Sequence, residues 1–139
     1  MTADENRNII RAVFDATATG DGRLFVTTLA DNVEWSIIGT TSWSRTYTGK
    51  AEVLSELLGP LAAQLDGANT IIADRLFADG DMVIVEGHGR NTTKLGKPYA
   101  NRYCWVIRMA AGKMAEITEY TDTQLIAEAL AAPQIQARN

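Results

Sequence analysis

The sequence predicts an α+β fold in which helices pack against an antiparallel sheet. Apolar residues recur at helical spacing near the N-terminus and again after residue 50, whereas the chain after residue 70 alternates as strands do. Three turn signals divide this second region, which predicts a four-stranded meander preceded by helices and one separate strand.

The N-terminal half is predicted to contain helices around one strand. Thr2 and Glu5 have the spacing of a capping box, so a helix is expected to begin near Asp4. Gly20-Asp21-Gly22 interrupts the helical pattern, and period-two alternation then indicates a strand. The predicted elements are a helix over Asp4 to Thr17, a helix over Arg23 to Leu29, a strand over Asn32 to Ile38 and a helix over Lys50 to Leu65.

Two features of this half bear on a possible pocket. The pair Gly59-Pro60 should kink or split the last helix, because proline cannot donate a backbone hydrogen bond and clashes with the preceding turn. The loop from Gly39 to Gly49 is polar but carries Trp43 and Tyr47. We expect these aromatic side chains to fold back over apolar surface, either as a lid or as simple anchors of the loop.

The C-terminal half is predicted to form the meander. Asp79-Gly80 is a strong signal for a type I′ hairpin, and Ala110-Ala111-Gly112 suits a three-residue hairpin loop. A longer polar turn is centred between Lys94 and Leu95. The predicted strands are Thr70 to Ala78, Asp81 to Asn91, Tyr99 to Met109 and Met114 to Thr121, followed by a short helix over Gln124 to Leu130.

Length and composition exclude several classes of protein. The chain has 139 residues, of which 46% are hydrophobic, so a single domain over residues 1–139 with its own core is expected. The net charge of −4 disfavours nucleic-acid binding, and no apolar run is long enough to span a membrane. One cysteine and one histidine make an incomplete zinc site. We therefore expect a cytoplasmic protein without a metal, a cofactor or a nucleic-acid or membrane partner.

The strand predicted over Asp81 to Asn91 carries the polar candidates. Alternation places Glu86, His88 and Arg90 on one of its faces. A histidine beside a carboxylate suits proton transfer, because imidazole changes charge near neutral pH and the carboxylate raises the imidazole pKa. Alternatively, the three residues form a solvated row of ion pairs, with Arg90 exposed or binding an anion.

The turns decide which residues share a face with this row. A hairpin centred between residues 94 and 95 pairs His88 with Asn101 and Glu86 with Tyr103, and the loop at 110–112 pairs Tyr103 with Glu119. Under this register all five side chains converge on one patch. A slip of one residue would scatter them over both faces of the sheet.

Apolar residues on the helices, the loop and the third predicted strand are candidates for the wall of a ligand pocket. Any packed core would show the same pattern, so both interpretations stay open for each of them. These candidates are Phe14, Trp43, Tyr47, Leu57, Leu61 and Trp105.

Two stretches carry a family resemblance. The first is Ala30-Asp31-Asn32-Val33-Glu34-Trp35, followed by Tyr47-Thr48-Gly49-Lys50, and the second runs from Glu86-Gly87-His88-Gly89 through Gly96-Lys97-Pro98-Tyr99 to Glu119-Tyr120-Thr121-Asp122-Thr123. The chain resembles SnoaL-like proteins of the NTF2-like superfamily, whose relatives include ketosteroid isomerase, limonene epoxide hydrolase and polyketide cyclases. The resemblance implies a cone formed by a curved antiparallel sheet around an N-terminal helical layer, a deep pocket, and a homodimer through the outer sheet face.

The roles that the resemblance implies fit these residues only in part. Limonene epoxide hydrolase uses an Asp–Arg–Asp set, and Glu86 stands at the Arg position while His88 and Glu119 stand at the Asp positions. Glu34 and Ser36 fall near its Tyr and Asn, which makes them candidates for ligand binding. Polyketide cyclases use a histidine or a carboxylate near the pocket floor, and the histidine with its two glutamates is most similar to that arrangement.

We therefore predict a cofactor-independent enzyme that isomerises, cyclises or hydrates a small, mostly apolar molecule. His88 would be the acid or base, the two glutamates would orient it, and Asn101 and Tyr103 would donate hydrogen bonds to a carbonyl. The alternative is a module that binds a hydrophobic ligand without turnover. A third reading is an assembly domain with a filled core and no cavity behind Trp43 and Tyr47.

Overall fold

The computed structural model describes residues 1–135, so the last four residues of the predicted domain lie outside it. The helices in this range are α1 (Ala3–Thr17), α2 (Arg23–Thr28), α3 (Lys50–Glu52), a π-helical segment (Val53–Leu58), α4 (Gly59–Gln64) and α5 (Thr123–Ala129). The strands are β1 (Leu29–Ile37), β2 (Thr46–Thr48), β3 (Ile71–Asp79), β4 (Met82–Gly89), β5 (Asn91–Thr92), β6 (Pro98–Tyr99), β7 (Arg102–Ala110) and β8 (Lys113–Thr121). None of the helices within residues 1–135 combines the length and the apolar character needed to cross a bilayer.

Six strands form a curved mixed sheet in the order β2-β1-β8-β7-β4-β3, and β5 pairs with β6 in a separate hairpin. The α+β class and the predicted meander are confirmed, since β3, β4, β7 and β8 are consecutive antiparallel neighbours. The expectation of a wholly antiparallel sheet is wrong for one pair, because β1 runs parallel to β8. No hairpin connects these two strands, so no turn fixes their relative direction.

The first helix forms as its sequence predicts. Thr2 and Glu5 make both hydrogen bonds of the capping box, at 3.1 and 3.2 Å. One face of α1 buries Ile10, Val13 and Phe14. This face packs on the same side of the sheet as the buried side chains of β1, so helices and sheet enclose one core.

The predicted disturbance near Gly59-Pro60 is present, but it takes the form of a π-helical segment rather than a kink. The Gly59 N–H donates to the Leu54 carbonyl five residues earlier, which is the hydrogen bond of a π-helix. Pro60, which follows, has no N–H to donate to the preceding turn. The helical region therefore continues from α3 to α4 and delivers Leu57 and Leu61 to the core side.

The predicted register between β4 and β7 is wrong by one residue. Tyr103 lies opposite Gly87, and His88 lies opposite Arg102. The strand predicted through Asn91 ends at Gly89, and the separate β5–β6 hairpin absorbs the polar turn. That turn therefore does not set the β4–β7 register, and the one-residue difference reverses the face to which the polar residues of β4 point.

The register between β7 and β8 differs from the prediction by two residues, which keeps the face unchanged. The connecting loop has two residues, Ala111 and Gly112, with φ of 49° and 77°, which changes the register by one residue, and the shift between Arg108 and Met109 adds the second, so Trp105 lies opposite Glu119. The predicted three-residue loop is therefore wrong. Two left-handed residues in succession are typical of a type I′ turn, and a register shift between Arg108 and Met109 follows it.

Candidate active site

A cavity of about 720 Å³ lies between the concave face of the sheet and the helices. This volume is in the range of small-molecule pockets. The cavity overturns the reading of a filled core behind Trp43. Its wall is mainly apolar and aromatic and includes Phe14, Phe25, Trp35, Ile37, Trp43, Leu57, Leu61, Tyr103, Trp105 and Ile126.

Aromatic rings packed against one another form part of the cavity wall. Tyr103 and Trp105 alternate along β7 on the concave face, and their rings are stacked at a centroid distance of 4.4 Å. Phe14 from α1 packs against Trp105 at 5.3 Å, and Phe25 from α2 packs against Trp35 at 5.6 Å. Such packing favours a flat, apolar ligand.

The loop between β1 and β2 covers one side of the cavity. Trp43 is 2% exposed, and its indole N–H donates to the Ala131 carbonyl at 3.0 Å. The side chain of Gln64 at the end of α4 both donates to and accepts from the backbone of Ala131. Tyr47 lies behind the wall, where its hydroxyl donates to the Trp43 carbonyl. The predicted folding back of both aromatic residues over apolar surface is therefore confirmed.

Glu119 places a carboxyl group on this apolar wall. It lies on β8 opposite Trp105, is 7% exposed, and is the carboxylic acid among the described residues that line the cavity. The Trp105 indole N–H donates to Glu119 Oε1 at 2.8 Å. Burial raises the pKa of Glu119 from its ordinary 4.5 to about 7, and the Trp105 hydrogen bond opposes this effect only partly. The carboxyl group can therefore both take and give a proton near neutral pH.

Trp35 approaches the same carboxyl group from β1. Its indole N–H lowers the pKa of Glu119 and so opposes the effect of burial. It does not meet hydrogen-bond geometry, however, and Trp35 Nε1 is buried without a partner.

Two tyrosine hydroxyls lie near Glu119. Burial raises the pKa of Tyr103 well above 10, and nearby Tyr99 and Glu119 raise it further. Burial also raises the pKa of Tyr99, whose hydroxyl accepts a hydrogen bond from Asn101 Nδ2 at 3.4 Å. Both hydroxyls therefore stay protonated at neutral pH and can act as hydrogen-bond donors.

Several of the predicted site residues line the cavity, although their roles there remain predictions. Other wall residues were not predicted as site residues, although alternation along the predicted strands placed Trp35 and Ile37 on one face as core residues and Tyr99 on the face of Tyr103 and Trp105. Phe25 carried no comparable signal, since its position depends on how α2 docks. The predicted residues on the wall are Phe14, Trp43, Leu57, Leu61, Tyr103, Trp105 and Glu119.

The predicted convergence of Glu86 and His88 with Glu119 is wrong. Both side chains lie on the outer face of the sheet as a result of the one-residue change in register. Glu86 pairs with Arg75 at 2.7 Å, and His88 Nδ1 lies 2.9 Å from Asp74 Oδ2. The alternative reading, in which these side chains form a partly solvated polar row, describes this face correctly for Glu86 and His88.

Four further candidates also lie away from the cavity wall. Arg90 is exposed just beyond β4, and Glu34 is exposed on the outer face of β1. Ser36, on that same face, shares a hydrogen bond of 2.8 Å with the Thr46 hydroxyl. Asn101 is fully buried, but its side-chain amide is hydrogen-bonded to the backbone. It donates to the Asp122 carbonyl and accepts from the Asp122 N–H. Its amide therefore fixes the approach of β8 to α5.

Polar groups at the edge of the cavity are few. Arg23 from α2 lines it, but this guanidinium is 91% exposed and paired with Asp21 at 2.8 Å. Within residues 1–135, no group of three or more His, Cys, Asp and Glu side chains is arranged to hold a metal ion.

The profile of the SnoaL-like domain matches residues 10–117, which is most of the chain. This protein belongs to the SnoaL-like family. An uncharacterised protein of Mycobacterium tuberculosis is 24% identical over 120 residues, covering 86% of this chain and 91% of that protein.

Solved structures with the SnoaL-like and NTF2-like fold are similar over nearly their whole length. An NTF2-like protein from Burkholderia thailandensis is 28% identical with a TM-score of 0.77, covering 93% of this chain and 97% of the other. A candidate SnoaL-like polyketide cyclase from Jannaschia is 14% identical with a TM-score of 0.73, covering 96% of each chain. At 14% identity, the latter similarity shows the fold alone.

Proposed function

We propose that this SnoaL-like protein is a cofactor-independent enzyme that moves a proton on a small, apolar carbonyl compound, with Glu119 as the acid and base. The observation that carries the proposal is a buried carboxyl group, with a pKa of about 7, on the wall of a mainly apolar cavity. General acid–base catalysis is most efficient when the pKa of the group lies near the working pH. The name of the Jannaschia neighbour is compatible with such chemistry.

The chemistry requires two groups beside the substrate. The Glu119 carboxylate takes a proton from the carbon next to the carbonyl, and the electron pair of that C–H bond forms an enolate. The Tyr103 hydroxyl donates a hydrogen bond to the enolate oxygen, and its raised pKa keeps it neutral. Return of the proton to another carbon completes an isomerisation. Attack of the enolate carbon on a second carbonyl forms a C–C bond and an alkoxide, and transfer of the proton from Glu119 to that alkoxide completes a cyclisation.

Exchange of protons for deuterium tests the first step without knowledge of the natural substrate. We would incubate the protein with 2-tetralone, a flat apolar ketone with acidic C–H bonds, in D₂O and follow the loss of the α-proton signals by NMR. The expected result is exchange faster than the buffer rate, rising with pH to a plateau above about pH 7 as Glu119 ionises.

Two variants make this experiment specific. E119Q keeps the shape of the side chain but cannot take a proton, and its exchange should fall to the buffer rate. E86Q is the matched control, because Glu86 lies on the outer face beside Arg75 and should leave the rate unchanged. Equal exchange by the wild type and E119Q would overturn the assignment of Glu119.

The second candidate function is binding of a hydrophobic ligand without turnover. The predominance of aromatic rings on the cavity wall favours it. Quenching of tryptophan fluorescence by 2-tetralone, together with exchange at the buffer rate in the wild type, would support this function over the enzymatic one.

We also propose that two copies associate through the outer face of the sheet. An apolar strip crosses this face, since Phe77 pairs with Ile84 and Ile84 pairs with Val106 on neighbouring strands. Phe77 and Tyr120 are 49% and 47% exposed, which is unusual for large aromatic side chains. Sedimentation velocity tests this proposal: a mass near 30 kDa supports it, given a chain of 15.1 kDa, and a monomer at micromolar concentration overturns it.

A further inference from the structure

The indole N–H of Trp35 is a buried hydrogen-bond donor without an acceptor. Among the side chains of residues 1–135, Trp35 Nε1 is the buried polar atom that makes no hydrogen bond. Trp35 is 5% exposed and lines the cavity. Unpaired buried donors are rare in folded proteins, and each one raises the question of what engages it during function.

The carboxyl of Glu119 is an acceptor within reach of the Trp35 indole. Trp35 lies opposite Ile117 in the β1–β8 pair, so Glu119, two residues further on, is its diagonal neighbour on the same face. From the other side, the Trp105 indole already donates to Glu119 Oε1 at 2.8 Å. The carboxyl group is thus flanked by two indoles, of which one is engaged and one is free.

We propose that Trp35 is a positioning residue for Glu119, whose indole N–H donates to the carboxylate once the proton has left and is released when the proton returns. The inference rests on the proposed function, in which Glu119 carries the proton. A carboxylate accepts hydrogen bonds at both oxygens, whereas a neutral carboxyl group uses one oxygen as a donor. Hydrogen bonds to an ionised acceptor are also the stronger ones. The Trp35 N–H is therefore attracted more strongly to the ionised carboxylate of Glu119 than to its neutral carboxyl group.

Among the described residues, the groups around Glu119 other than the two indoles are neutral or paired near neutral pH. The titratable groups near Glu119 are Tyr47 from β2, Tyr99 from β6 and Tyr103 from β7, and each has a pKa raised above 10. Arg23 from α2 lines the cavity but is paired with Asp21. The side chains that the π-helical segment, α4 and α5 contribute to the wall are apolar.

The three indole N–H signals of the protein give a direct test. We would record ¹H–¹⁵N spectra of the full chain between pH 5 and 9 and assign the signals with W35F, W43F and W105F. The Trp35 signal should move downfield with the same midpoint as the Glu119 carboxyl carbon, and the Trp105 signal should share that midpoint. The Trp43 signal is the internal control, because its N–H is held by the Ala131 carbonyl. A Trp35 signal that stays fixed while Trp105 titrates would overturn the proposal.

Replacement of the indole nitrogen provides a second test. In W35F, the Glu119 midpoint should rise by about one pH unit, because the ionised form loses a donor, and in W43F it should stay unchanged. Benzothienylalanine at position 35 removes the N–H while keeping the ring shape, so a matching rise there separates the donor from its packing. An unchanged midpoint with this analogue would refute the role.

The test distinguishes this inference from the proposed function. If 2-tetralone exchange requires Glu119 but the Trp35 signal does not titrate, the function stands and the positioning role fails. If the Trp35 signal titrates but exchange stays at the buffer rate, the positioning role stands and the enzymatic function fails. A Trp35 signal that moves only when 2-tetralone is added would assign its N–H to the ligand and overturn the role proposed here.

Discussion

The substitution E119Q should change how the stability of the protein depends on pH. In the folded chain burial raises the pKa of Glu119 to about 7, whereas in the unfolded chain it has its ordinary value of 4.5. Between these two values the folded state holds a proton that the unfolded state has lost. The free energy of unfolding therefore falls as pH rises through this window, and Glu119 adds no further pH dependence below or above it.

The magnitude follows from the two pKa values. They differ by about 2.5, and each pKa unit corresponds to ~1.4 kcal/mol, so the wild type should lose about 3 kcal/mol between pH 4.5 and 7. Glutamine has nearly the same shape, stays neutral, and can accept the Trp105 hydrogen bond. E119Q should therefore lack this loss. The free energy of unfolding of E119Q minus that of the wild type should be about 3 kcal/mol larger above pH 7 than at pH 4.5.

Urea unfolding at half-unit steps from pH 4.5 to 8.5 measures this difference, with far-UV circular dichroism as the signal. Every other titrating group contributes equally to both proteins and cancels. E86Q is the matched control, since Glu86 is partly exposed beside Arg75 on the outer face and should not reproduce the pH-dependent gain. A gap between E119Q and the wild type that stays constant within about 0.5 kcal/mol over the whole range would refute our account of Glu119.

Three further substitutions test the cavity, the sheet and the outer face. L61W should fill part of the cavity and weaken binding of 2-tetralone about tenfold in equilibrium dialysis, whereas L95W, at a residue 85% exposed, should not. G87A should destabilise the fold by about 1–3 kcal/mol in urea, because its Cβ would lie 2.5 Å from a backbone carbonyl of β3; G22A meets open space and serves as the control. V106E should give a monomer in sedimentation velocity, whereas V106T should still associate.

The parts of the fold that could be predicted are those with a strong local signal. The capping box at Thr2 and the alternation of Val33, Trp35 and Ile37 needed no tertiary information. Pairing of β7 with β8 was predicted two residues out of register, yet the face of Glu119 was right because side chains alternate with a period of two. The concave position of Glu119 and Tyr103 could therefore be predicted from the sequence.

The face of β4 could not be predicted, and the catalytic assignment of His88 depended on it. Met82 and Ile84 on one face are as apolar as Val83 and Val85 on the other, so alternation alone does not say which pair is buried. The deciding feature is the β5–β6 hairpin, which lies between β4 and β7 and has no strong signature of its own. The two buried glycines that continue the Val83 face were the available hint, since a carbonyl of β3 packs against Gly87 too closely for a side chain.

The folded state gains nothing from the carboxyl group that it buries at position 119. At neutral pH the raised pKa of Glu119 means that ionising it opposes folding, and an uncharged side chain of the same shape would be more stable there. The same wall leaves Trp35 without an acceptor, which is a second unfavourable feature within reach of the first. Two unfavourable polar groups directed at one apolar cavity are difficult to explain as packing. They are compatible with the proton transfer proposed at Glu119, because perturbed pKa values cluster at functional sites.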